Sequence, residues 1–553
     1  MTQPTTSGPS LVATTITALI RGETAAWESA KAAARGGPRV LIATNVMGFH
    51  HVSLLEATLA VALTLRGVEV EIIQCDAALP ACLKVERHSF PEPAEFAAEG
   101  MTQTVCDNCK AVGRWHFGLL GLKTWQFSEL LTAEDRRDIE AATFGLSAPQ
   151  LSTLVSNGDK VGEQGLAGAL RYYARGELPD TPEASDILRA FVTAAITTSR
   201  VYDRLLAQRS YVSAVFHHGI YVPQGPAGDA LRRHGVRVIN WNPSYRQSTF
   251  IFSHGDTYHH TLMEEPTSVW ENMPWSPAHE KEIMDYLASR ALGTRDWIWF
   301  FEKPDQDAVA FAREVGLDLA KPTVGMLSNV AWDAQLHYPA NAFGNMFEWV
   351  FQTFDYFATR PDMQLLLRIH PAEIRGTVPS RQLLMDEINA RYPTMPSNIF
   401  VVPPDRDIST YALMGLCSTA LIYGTKMGVE LSSVGMPVVV AGEAWIRNKG
   451  LTLDATSPEQ HLDMLKTLPA LDKLTGDRLV RARKYAYHFF FRRMVPLSFL
   501  IPGKKAYDIA VPDIASLGPG RWRGLDVVCD GIIKGTPFVF EAERYGLEGQ
   551  QAV

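Results

Sequence analysis

The chain has 553 residues, 46% of them hydrophobic and 20% charged, enough to bury large cores and to fold as two or three domains. Its 52 basic and 60 acidic residues leave a net charge of −8, which argues against general attraction to a phosphate backbone and against nucleic acid as a partner. The first ten residues have no basic start followed by an apolar core, charges break every apolar stretch before membrane-spanning length, and six cysteines are too few for a disulfide scaffold. A cytoplasmic protein is expected.

Residues 11–35 read as a helix stopped by Gly36 and Gly37, a leader over 1–36. A first domain over 37–292 opens with a strand at 39–44, a loop at 45–51 holding His50 and His51, a helix at 53–66 and a strand at 68–74. Only Gly48 stands where a dinucleotide fingerprint wants three glycines, so no NAD site is expected, although Asp76 follows the second strand. Either histidine could serve as a general base; the plainer reading makes one a helix cap and the other a surface residue. Cys75, Cys82, Cys106 and Cys109 come next, with one CxxC pair among them. Four thiolates could close a structural zinc site, ahead of an iron–sulfur cluster; the alternative is a buried Cys75, an incidental Cys82 and a reducible CxxC. Residues 113–206 read as helical scaffold. A strand at 213–216 ends in His217 and His218, and a helix at 225–235 leads to a strand at 236–241. His254, Tyr258, His259 and His260 lack the spacing of a catalytic zinc site.

After a helix at 277–290 and a connection over 293–321, a second domain spans 293–500. Its strands are compact apolar runs: 324–327 before Ser328 and Asn329, 365–369 before His370 and Pro371, 398–402, 420–423 before Gly424, and 436–441 before Gly442. Runs of this kind, spaced by helix-length segments, mark strands buried on both faces of a doubly wound parallel sheet, whose ligands bind at the carboxyl ends of the strands. Gly424 and Gly428 permit a tight turn into a helix, with Thr425, Lys426 and Glu430 beside it, a seat suited to a nucleotide diphosphate. The cluster His488, Phe489, Phe490, Phe491, Arg492 and Arg493 ends a helix over 477–494; packing inside the protein is expected there, with a membrane surface as the alternative. The tail is 501–553.

The pieces LLLRIHPAE at 365–373, NIFVVPPDRDISTY at 398–411 and LIYGTKMGVELSSVGMPVVVAG at 421–442, in that order, resemble the capsule polysaccharide biosynthesis transferases among the GT-B glycosyltransferases. The resemblance implies an α/β protein of two Rossmann-like domains facing a cleft, with a helical insertion in the first. It implies a nucleotide-sugar donor, a glycan or glycolipid acceptor, inversion at the anomeric carbon and no cofactor for catalysis. His370 would lie by the leaving phosphate, the turn from Gly424 through Thr425 to Gly428 would hold the phosphates, and Glu430 would bind the ribose. Lys426 and Arg368 would assist the leaving group, Asn329 would line the donor site, and the base would come from His50, His51, His217 or His218. Lys426 after Thr425 departs from the paired Ser/Thr of sialyltransferase-like enzymes and counts against a CMP-linked donor. The rivals are a nucleotide-sugar epimerase or polyol-phosphate transferase on the same fold, and a non-catalytic glycan-binding or assembly protein. Location at the inner face of the cell membrane, by peripheral association, is the variant of the cytoplasmic expectation.

Overall fold

In the computed structural model, residues 14–291, 296, 304–333, 339–503 and 506–548 are described. The chain divides into two compact units: one of Met1–Leu166, Ser185–Thr257 and Phe491–Val553, the other of Ala167–Ala184 and Tyr258–Phe490. Both are discontinuous, a feature that reading along the chain does not reveal, and the expected boundary at 293 lies outside the described residues.

In chain order the strands are β1 (Arg39–Ile42), β2 (Glu69–Gln74), β3 (Lys123–Gln126), β4 (Ser213–His217), β5 (Arg237–Pro243) and β6 (Thr249–His254). They continue with β7 (Thr323–Leu327), β8 (Gln364–Arg368), β9 (Ile399–Val402), β10 (Thr419–Ile422), β11 (Val438–Val440), β12 (Leu453–Asp454) and β13 (Met494–Pro496).

The first unit holds a seven-stranded sheet ordered β13-β6-β5-β4-β1-β2-β3, parallel from β5 to β3 and antiparallel at β6 and β13. The helix His50–Thr64 follows β1 and is buried continuously from Val52 to Thr64, because its sequence offers apolar side chains on every face. In the second unit six parallel strands run β12-β11-β10-β7-β8-β9. Counted within this unit the order is 3-2-1-4-5-6, that of a dinucleotide-binding Rossmann sheet. Val324, Leu365, Leu421 and Val439 pack with Trp349 and Phe354 from the helix Met346–Ala358, whose start is capped by Asn345 Oδ1 accepting the Glu348 N–H at 2.9 Å.

The fold is therefore α/β with one Rossmann-like sheet in each unit, parallel throughout in the second and with two antiparallel strands at one edge in the first. The segment read as one helix over 477–494 is broken: the α-helix Gly476–Tyr487 passes into a π-turn, His488–Arg492, and then into β13. Phe489, Phe490 and Phe491 are fully buried, so this cluster belongs to the core.

Candidate active site

Both sheets change winding direction between their first and fourth strands, and parallel sheets bind ligands outside the carboxyl ends at that point. In the second unit the point lies between β7 and β10. Asn329, just past β7, accepts the Gly424 N–H at 3.2 Å on its Oδ1, and Ser328 Oγ accepts the His370 N–H at 2.9 Å. Two hydrogen bonds thus stitch the loops after β7, β8 and β10 into one edge. His370 Nδ1 accepts the Ala372 N–H at 3.0 Å, which places the proton of the neutral ring on Nε2. Burial, followed by the charges of Lys426 and Arg368, lowers the His370 pKa to about 4, so the ring is a neutral donor near pH 7.

The glycines serve by closeness. A Cβ on Gly424 would stand 3.2 Å from the Glu443 carbonyl oxygen and 3.4 Å from Asn329 Nδ2. One on Gly428 would meet Ile422 Cδ1 at 2.6 Å and Ile446 Cγ2 at 2.9 Å, so Gly428 lets the helix Met427–Ser433 pack against β10. Thr425 Oγ1 accepts the Met427 N–H at 3.3 Å at the entry of that seven-residue helix.

Glu430 is 3% exposed. Its Oε1 pairs with Lys426 Nζ at 2.9 Å and with Arg290 Nε at 3.3 Å, and its Oε2 accepts the Tyr411 hydroxyl proton. Arg290 is also paired with Asp296. Although burial alone would raise the Glu430 pKa, these cations pull it down to about 2. Lys426 is shifted down by burial and by Arg290, but Glu430 opposes the shift. The network fixes the Lys426 ammonium beside the Thr425 turn. Arg368 is buried and donates from Nη1 to the Pro403 carbonyl at 2.5 Å and from Nη2 to that of Arg406 at 3.0 Å, so it holds the loop after β9.

At the first unit's own winding change, between β1 and β4, imidazoles gather instead. His50 and His51 open the helix after β1, His217 ends β4, and His218 follows it. His50 Nδ1 lies 3.2 Å from His116 Nε2, His51 stands edge-on to His217 at 5.9 Å between ring centroids, and His217 lies 5.5 Å from His218. His218, Gly219 and Tyr221 have φ of 70°, 82° and 68°; the two non-glycine residues are held in a left-handed conformation that costs energy unless the surroundings enforce it. Burial first, then His50 and Lys84, lowers the His51 pKa to about 4, and burial with His218 and His51 lowers that of His217 well below the usual range. Beneath them the buried Glu56 accepts the His217 N–H and the Trp241 Nε1–H, both at 3.0 Å, and pairs with the Thr44 hydroxyl. Burial, only partly offset by these bonds, raises the Glu56 pKa to about 7.

Cys75, Cys82, Cys106 and Cys109 line one small cavity with Asn45 and Lys84. Burial pushes the Cys75 thiol up to about 12 and the Cys82 thiol higher still. Among the described residues no three or more His, Cys, Asp or Glu come together in a group that could hold a metal ion.

Sequence reading singled out the residues at both edges but missed their supports. Glu56 was detectable as the lone charge in the apolar run 54–65. His116, Arg290 and Tyr411 lie 66, 140 and 19 positions from the residues they touch, and no local pattern links them.

No protein-family model and no curated protein matches the chain. Among solved structures it is similar to a β-Kdo 2,4-transferase of Thermosulfurimonas dismutans (11% identity, 50% of this chain and 79% of the other, TM-score 0.34). It is also similar to a spinosyn rhamnosyltransferase (12%, 81% and 95%, 0.24) and to a trehalose 6-phosphate synthase of Burkholderia multivorans (11%, 81% and 94%, 0.28). At these scores the likenesses carry no weight for the site, and the fold class rests on the strand order of each unit. No described helix is long and apolar enough to cross a membrane.

Proposed function

We propose that the chain is a glycosyltransferase that moves a sugar, with inversion, from a nucleotide-sugar donor to a surface or capsular glycan acceptor. One observation carries the donor half of this reading: the loops after β7, β8 and β10 are bonded together at the winding change of a 3-2-1-4-5-6 sheet, with His370 and Lys426 beside them. The second unit binds the donor. His370 donates from Nε2 to the phosphate that leaves, Lys426 neutralises the charge that develops there, and Gly424, Thr425 and Asn329 shape the turn. Glu430 holds Lys426 in place, and Arg368 holds the neighbouring loop. The first unit supplies the base for the acceptor hydroxyl from His50, His51 or His218, in a cluster whose characterised members, His51 and His217, are neutral near pH 7. The acceptor class rests on the resemblance of the segment 365–442 alone.

The test is nucleotide release from UDP-, GDP-, dTDP- and CMP-sugars by the purified chain, with His370→Ala alongside. Release from one donor class, lost in the variant, is the expected result. Release from none, or release indifferent to His370, would overturn the reading.

A further inference from the structure

The loop after β11 carries a group of side chains that the phosphate chemistry does not use. Glu443 adjoins the Gly424 turn through its own carbonyl oxygen. Its N–H donates to Asn341 Oδ1 at 2.9 Å, its Oε1 accepts the Ala340 N–H at 2.9 Å, and its Oε2 lies 3.3 Å from His260 Nε2. A carboxylate fixed at its backbone and through one of its own oxygens, with the other 3.3 Å from an imidazole nitrogen, limits the orientations open to that ring by charge and contact, without a hydrogen bond between the two in this geometry. His260 belongs to the helix Tyr258–Glu264, whose first residues form a platform: the Tyr258 and His259 rings are 4.3 Å apart at 31°. They lie 5.5 and 5.6 Å from the buried Trp445, which is itself stacked on Phe489 at 5.2 Å. Tyr258 and His259 are partly buried. Partly open aromatic faces beside a held imidazole match a pyranose ring, which offers C–H groups on one face and hydroxyls at its rim.

We propose that Tyr258, His259 and His260, with Glu443 as the residue that positions His260, form the subsite for the sugar ring of the donor. The proposal rests on the transferase reading above and adds the place where the sugar is recognised. His260 donates to or accepts from a ring hydroxyl, the platform covers one sugar face, and Glu443 acts through His260.

Calorimetry on the full chain separates the two readings, with UDP and UDP-N-acetylglucosamine, GDP and GDP-mannose, dTDP and dTDP-rhamnose, and CMP and a CMP-sugar as matched pairs. If no nucleotide binds the wild-type chain, the transferase reading fails and this proposal with it. If a nucleotide binds, its sugar ester is expected to bind more tightly, and His260→Ala should weaken the ester about tenfold while leaving the bare nucleotide within about twofold. Glu443→Gln should weaken the ester in the same selective way, and the double variant should be no worse than His260→Ala alone, because Glu443 acts only through that ring. An ester that gains nothing over its nucleotide, an equal loss of nucleotide and ester in His260→Ala, or additive losses in the double variant would overturn the subsite while leaving the donor site standing.

Discussion

The two sheets carry opposite electrostatics at corresponding places. At the winding change of the first unit the side chains are imidazoles over a buried carboxyl raised to about 7, and the groups with resolved shifts move toward their neutral forms. At that of the second, Lys426 and Arg290 are buried in ion pairs with Glu430 and Asp296, Glu430 is held well below the usual carboxylate range, and His370 is forced neutral. A neutral imidazole can take a proton but attracts an anion weakly; a fixed ammonium does the reverse. The same fold thus carries neutral rings at one edge and buried ion pairs at the other, and under the proposed function the second edge takes the phosphate.

The largest expected effect separates the edges by function. His370→Ala and His51→Ala are each expected to lower turnover by about 100-fold or more. Only His370→Ala should also weaken nucleotide binding, and equal binding losses in both would erase the distinction. Next comes Lys426→Met, which leaves Glu430 buried with Arg290 and Tyr411 as its remaining partners. It should cost on the order of 1 kcal/mol in denaturant unfolding, because the buried carboxylate loses one of its two cationic partners and keeps the other.

Glu56→Gln should do the opposite. Above pH 4.5 the unfolded chain ionises Glu56 while the folded chain keeps its proton to about 7, so the group's contribution to stability is lost as pH rises across that interval. At pH 8 the glutamine variant should therefore be more stable than wild type by about 2 kcal/mol, with little difference at pH 4.5. The histidines act in the other direction. His51 and His370 stay neutral when folded down to about pH 4, whereas the unfolded rings protonate below 6.5, so stability should fall as pH drops from 6.5 to 4. His51→Gln should flatten that decline by about 2 kcal/mol in melting scans across the interval. A decline of unchanged steepness would place the titrating groups elsewhere.

The strands most legible in the sequence were those buried on both faces. The run at 365–369 became β8 and that at 420–423 became β10, each shifted by one residue, because Val, Ile and Leu leave no polar face to mislead the period. The strand β3, Lys123–Gln126, carries Lys, Thr and Gln at the sheet edge and was read as helical scaffold. The cluster at 488–493 was read as the end of a helix because its aromatic run suits a helix as well as a strand entry. At the site, His370, Asn329, Thr425 and Lys426 announced themselves by standing at strand ends. The pair of Lys426 with Glu430 is a local i,i+4 contact, whereas the occupation of Glu430 by Arg290 and Tyr411 is tertiary, and the segment 424–430 holds no trace of those two.

The most direct measurement is calorimetric titration of the purified chain with UDP, GDP, dTDP, CDP and CMP at pH 7, repeated on His370→Ala. The account predicts selective binding of one nucleotide, weakened at least about tenfold in the variant, while His51→Ala binds as wild type does. Binding of no nucleotide, or binding unchanged by loss of the His370 ring, would contradict it.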